Sequence, residues 1–112
     1  MIIKRLYAKL ENCEKKTLVD EKLLNNLIEN ISFELNMTIV KRVSHVYNPG
    51  ISVVFLLAES HISIHTWPEI DYADFDIVSC NKESDILKGL EIAIKVLKPK
   101  RVDKHILEYV RE

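Results

Sequence analysis

Ala58-Glu59-Ser60-His61-Ile62-Ser63-Ile64-His65-Thr66-Trp67-Pro68-Glu69 lies at the middle of the chain, and its reading decides the fold. From His61 to Trp67 the residues alternate. Ile62 and Ile64 point one way, and His61, Ser63, His65 and Trp67 point the other, as they must on a strand. Pro68 ends the run. On the N-terminal side, Ile51 to Ala58 is a nearly continuous apolar run, which predicts a buried strand. On the C-terminal side, Tyr72 to Cys80 alternates again, with Ala73, Phe75 and Ile77 on one face and Asp74, Asp76, Val78 and Cys80 on the other. Strands with one apolar and one mainly polar face predict an antiparallel sheet covered by helices on one side only.

The flanks complete that architecture. Met37 to Tyr47 is rich in β-branched residues and predicts a strand, joined to the next by Asn48-Pro49-Gly50, where Pro fixes one dihedral and Gly accepts positive φ. Residues 2 to 10 alternate in part and predict a first strand; Glu11 to Lys16 is polar and predicts a loop. From Leu18 to Leu35 the period changes: Leu24, Leu27, Ile28, Ile31 and Leu35 recur at helical spacing, with Thr17 and Asp20 as a capping signal. Asp85 to Leu97 predicts a second amphipathic helix, with Ser84 as its N-cap. Pro99 bars its continuation, and Arg101 to Val110 alternates weakly, as a final strand. The predicted order is β-α-β-β-β-β-α-β, an α+β two-layer sandwich in one domain spanning residues 1–112.

Composition excludes several classes of function. The chain has 112 residues, 47% hydrophobic and 29% charged, with a net charge of −1. That is enough for a single core, and the dispersed, balanced charge argues against a nucleic-acid partner. No apolar stretch approaches the about 18 residues of a membrane span, and the charged start Met1-Ile2-Ile3-Lys4-Arg5 does not read as a signal peptide. A cytoplasmic protein is expected. The two cysteines, Cys13 and Cys80, are far apart in sequence and read as free thiols.

Polar chemistry gathers between residues 59 and 69. On a strand, His61 and His65 share a face but lie roughly 13 Å apart, too far to ligate one ion, so no metal is expected. Either histidine reads more readily as a polar residue on a solvated face than as a functional group. Cys80, at a strand end, reads as a small half-buried hydrophobe or as a proton donor at the edge of a site; Cys13 has only the first reading. Glu59-Ser60 interrupts two strongly apolar strands where a hairpin favours Gly or Asn. No Gly-x-Ser-x-Gly elbow surrounds Ser60, so a serine hydrolase is not indicated. The residues alone do not say what the polar cluster does.

The segment from about Val43 to Cys80 resembles the prokaryotic S-adenosylmethionine decarboxylase proenzymes. The likeness is carried by Glu59-Ser60-His61, His65-Thr66-Trp67-Pro68-Glu69, Tyr72-Ala73, Asp76 and Cys80. It implies self-cleavage between Glu59 and Ser60, giving a beta chain of residues 1–59 and an alpha chain of residues 60–112. The alpha chain would be blocked by a pyruvoyl group made from Ser60, the cofactor that forms a Schiff base with S-adenosylmethionine. It further implies that His65 is the proton acceptor in processing, that Ser52 assists the acyl shift, and that Cys80 is the proton donor in decarboxylation. Tyr47 would stack on adenine, and Glu69 would hold the ribose hydroxyls. The product would be an aminopropyl donor for spermidine synthesis, and the assembly a homodimer of processed protomers.

The chain departs from the family pattern in places. The turn Pro49-Gly50-Ile51-Ser52 is one residue short, Val53 replaces a glycine, Tyr47 a phenylalanine, and Asn81 the glycine after the cysteine. Asp74 adds an acid near the site. Arginine decarboxylation on the same scaffold is the alternative, with Asp74 or Glu69 attracting the substrate's cation. An uncleaved, non-catalytic relative is a third reading.

Overall fold

The computed structural model describes residues 1–111. Six strands form one antiparallel sheet: β1 (Ile2–Glu11), β2 (Ile39–Val46), β3 (Ile51–Leu57), β4 (Ser60–Trp67), β5 (Tyr72–Ser79) and β6 (Arg101–Val110). Their order is β2-β3-β4-β5-β1-β6. β2 to β5 follow one another as a meander, and β1 enters between β5 and β6. The expected α+β sandwich is the observed one.

Alternation explains the two faces. Leu6, Ala8 and Leu10 on β1, Val53 and Phe55 on β3, Ile62 and Ile64 on β4, and Phe75 and Ile77 on β5 are wholly buried. They meet Leu24, Ile28 and Ile31 of helix α2 (Glu21–Glu34) and Leu90, Ala93 and Leu97 of helix α3 (Ile86–Leu97). Burying each large side chain is worth ~1.5–3 kcal/mol, so this layer carries most of the stability. The approach is close at Gly89: a Cβ there would lie 2.5 Å from Ile77 Cδ1.

Three local expectations are corrected. The helix expected over Leu18–Leu35 is broken: a short helix α1 (Lys15–Leu18) occupies part of the expected loop, and α2 begins at Glu21. Thr17 does not cap α2; it is buried and its hydroxyl donates back to Glu14 O at 2.7 Å. Asp20 is the cap, accepting from Leu23 N at 3.0 Å. Likewise Asp85, not Ser84, caps α3, accepting from Lys88 N at 3.3 Å. In both cases the acceptor stands three residues before the donor it satisfies, the reach that an N-cap side chain has.

The face away from the helices is less polar than alternation suggested. His61, Ser63, His65, Asp74, Asp76 and Tyr7 occupy its centre, but Val43, Leu56, Leu107 and Tyr109 flank them, each at least half exposed. β6 is exposed along nearly its whole length, which is why its sequence alternates so weakly. Among the described residues, no helix is long and apolar enough to cross a membrane.

Candidate active site

The predicted site residues gather at two opposite ends of the β3–β4 hairpin. At the turn end, Glu59 stands at φ 60°, the left-handed region that L side chains adopt at a cost. Ser60 follows as the first residue of β4. Cys80, just past the end of β5, reaches both: its Sγ–H donates to the Glu59 carbonyl at 3.0 Å, and its backbone N–H donates to Ser60 Oγ at 3.3 Å. A cavity of about 210 Å³ opens here, walled by Asn36, Met37, Thr38, Ser79 and Asn81 as well as by these three residues. The carbonyl before Ser60 is therefore polarised by a thiol, while the adjacent hydroxyl is held by a backbone donor.

At the other end, Ser52 and His65 are cross-strand partners, and Ser52 Oγ lies 2.7 Å from His65 Nδ1. Either partner can donate in this contact, the direction following the imidazole tautomer. A cavity of about 440 Å³ is lined by Tyr47, Asn48, Pro49, Gly50, Ser52, His65, Thr66, Trp67 and Glu69. Tyr47 is 63% exposed and Trp67 40%, so aromatic faces are available to a planar ligand. Glu69 lies in the 3-10 turn Pro68–Ile70 that ends β4.

Thr66 builds this end. Its buried hydroxyl accepts from Ile51 N at 2.9 Å and donates to Leu18 O at 2.8 Å, pinning the start of β3 and the end of α1 to β4. A Cβ on Gly50 would lie 2.7 Å from Thr66 O, so the turn carrying Tyr47 packs directly on β4. Nothing in the sequence marks Thr66 as a functional residue, although its helix-facing parity beside His65 is legible in the alternation of β4.

The two groups do not meet within one chain. Ser60 and His65 are five residues apart on one strand, which is about 16 Å. Tyr47, Ser52, His65 and Glu69 share one cavity; Glu59, Ser60 and Cys80 share the other.

Two further residues, Asp74 and Cys13, stand outside both cavities. Asp74 is not free for a substrate cation: the Tyr7 hydroxyl donates to its Oδ1 at 3.0 Å, and the Tyr72 hydroxyl donates to the same oxygen. Burial, then these contacts with Asp74, push the Tyr72 phenol well above its usual range. Cys13 is buried, and burial together with the Asp71 carboxylate pushes its thiol up to about 11, so it stays protonated and unreactive. Among the described residues, no three of His, Cys, Asp and Glu gather as a metal site.

Comparison with known proteins agrees with this geometry. The S-adenosylmethionine decarboxylase family profile matches residues 4–109. The S-adenosylmethionine decarboxylase proenzyme of Thermotoga petrophila is 37% identical over 96% of this chain and 82% of its own length. That of Sulfolobus acidocaldarius is 35% identical over 90% of this chain and 83% of its own. The crystal structure of the adenosylmethionine decarboxylase from Aquifex aeolicus superposes with a TM-score of 0.90 at 31% identity, covering 99% of this chain and 94% of that one. Fold and sequence together thus define a decarboxylase scaffold of the proenzyme type. The chain belongs to the S-adenosylmethionine decarboxylase family.

Proposed function

We infer that this S-adenosylmethionine decarboxylase becomes active by cutting itself between Glu59 and Ser60, and that two copies of the chain build each active site. The observation that carries the reading is the pair of bonds from Cys80 to the Glu59 carbonyl and the Ser60 hydroxyl.

The chemistry follows from those contacts. Ser60 Oγ attacks the Glu59 carbonyl carbon; the Cys80 S–H bonds the oxygen where negative charge develops. The Glu59–Ser60 amide becomes an ester, and the left-handed strain at Glu59 favours leaving the amide. A base then takes the Ser60 Cα proton, the Glu59 carboxylate departs, and hydrolysis of the dehydroalanine releases ammonia and leaves a pyruvoyl group. That group supplies a ketone, which no side chain offers, as the electron sink for loss of carbon dioxide. Cys80 Sγ, adjacent to residue 60, returns a proton to the substrate carbon. Tyr47 and Trp67 offer faces to adenine and to the sulfonium charge, and Glu69 accepts from the ribose hydroxyls. The product feeds spermidine synthesis. A reactive Cys80 thiol also suits a reducing compartment, the cytoplasm.

The two-copy arrangement is supported by distance and by surface. His65 is about 16 Å from Ser60 of its own chain, so the base for elimination comes from elsewhere. The exposed flanks Val43, Leu56, Leu107 and Tyr109 give the open sheet face a surface suited to a second copy. With two such faces antiparallel, the His65 end of one copy meets the Ser60 end of the other, and a dimer holds two equal sites.

Mass spectrometry tests the reading: fragments of residues 1–59 and 60–112 are expected, and Ser60→Ala stays intact. Co-expression tests the sharing. A His65→Ala chain alone stays uncut, but it is cut when a Ser60→Ala partner supplies His65. A mixture that stays intact sinks the two-copy arrangement. Carbon dioxide release from S-adenosylmethionine but not from arginine is expected, because two phenols already engage Asp74.

A further inference from the structure

One charged side chain reaches the cleavage end from a strand that holds none of the residues discussed so far as catalytic. Lys4 lies on β1, on the helix-facing side, paired with Ser79 at the end of β5. Its Nζ donates to the carbonyls of Lys82 at 2.6 Å and Ser84 at 3.0 Å. Both belong to the segment from Cys80 to Asp85 that joins β5 to α3. That segment folds on itself: Glu83 N donates to Asn81 Oδ1 at 2.9 Å, Ser84 N to Asn81 O at 3.0 Å, and Asn81 N to Ser79 Oγ at 3.2 Å. Lys4 adds a tie from the segment back to the sheet. Glu108 faces Lys4 across β6, yet among the described residues no ion pair joins them, and the ammonium is committed to the two carbonyls. Bonds with a charged donor are the strong ones.

We propose that Lys4 is a positioning residue for self-cleavage, holding the Cys80–Asp85 segment so that the Cys80 thiol stays on the Glu59 carbonyl. This rests on the cleavage reading above. Cys80 is the first residue beyond β5, so the sheet restrains it from one side only; the Lys4 bond to the Lys82 carbonyl, two residues on, restrains it from the other. Acceptor and nucleophile must be aligned closely for the acyl shift, and a misplacement on the order of 1 Å costs up to about a hundredfold in rate. The ammonium takes no part in bond making. Its effect passes through Cys80.

The test follows the appearance of the 1–59 and 60–112 fragments with time after cell-free synthesis of the full chain. Lys4→Met keeps the aliphatic stem and removes the donors; it is expected to slow cleavage about tenfold. Lys4→Arg, which keeps a charged donor, restores most of the rate. On a Cys80→Ala background, Lys4→Met loses most of its effect, because the group it acts through is gone. Thermal unfolding on a Ser60→Ala background checks that the variant is folded at the assay temperature. If it is not, Lys4→Gln takes its place under the same criteria. Lys4→Met cleaving as fast as wild type overturns the proposal, and so does an equal slowing with and without the Cys80 thiol, which would mean a general effect on folding. A wild-type chain that stays intact overturns the cleavage reading and this proposal together.

Discussion

At its Ile51 end the β3–β4 hairpin is held by a buried side chain; at its Ala58 end it is held by a strained main chain. The Ile51 end has Thr66 bonding Ile51 and Leu18 from inside the core, with Gly50 packed against the Thr66 carbonyl. The Ala58 end has Glu59 in the left-handed region, and its contacts come from Cys80, outside the hairpin. The contrast fits the two purposes proposed for this one hairpin. A pocket that must bind the same ligand repeatedly needs rigid walls. A bond that is cut once needs a polarised carbonyl, a held nucleophile and a main chain with strain to release.

Three substitutions bear on that contrast. The largest effect is expected for Thr66→Val. It leaves the Ile51 N–H and the Leu18 carbonyl without their partner, costing about 2–4 kcal/mol in denaturant unfolding; Thr66→Ser, which keeps the hydroxyl, should recover most of it. A loss below about 1 kcal/mol would mean that the Ile51 end is not held as described. Tyr47→Ala comes next. Loss of one stacking face should raise KM for S-adenosylmethionine about tenfold, with the rate of self-cleavage unchanged, since the Tyr47 ring takes part in no step of the acyl shift or the elimination. Slower cleavage in that variant would blur the division between the ends. The smallest effect is expected for Glu59→Gly in an uncut Ser60→Ala background. Glycine accepts positive φ freely, so the chain should gain about 1 kcal/mol in thermal unfolding. A loss instead would show that Glu59 is held without strain.

Much of the fold was legible because alternation is a local signal. Ile62 and Ile64 against His61, Ser63 and His65 defined β4 and its faces, and the helical spacing of Leu24, Leu27, Ile28 and Ile31 defined α2. The caps were less legible. Thr17 and Ser84 stood where caps were expected, but the hydrogen-bonding residues are Asp20 and Asp85, because Thr17 lies inside α1 and α3 starts at Ile86, immediately after Asp85. The open face is less polar than the alternation of single strands indicates for a related reason: Val43, Leu56, Leu107 and Tyr109 come from three strands, β2, β3 and β6, whose arrangement in one sheet no single stretch reveals.

For the candidate site the division is sharper. Sequence by itself singled out the candidates for the chemistry: Glu59-Ser60, His65, Glu69 and Cys80 stand out by motif, and the motif is local. Only the tertiary structure decided which of them meet. Strand pairing brings Cys80 to Glu59 across 21 positions and Ser52 to His65 across 13. The rise of an extended strand keeps Ser60 and His65 apart although only five positions separate them. Closeness in a sheet is set by register between strands, not by distance along one. That is why Lys4, far from the motif in sequence, reaches the segment that follows Cys80 through the carbonyls of Lys82 and Ser84.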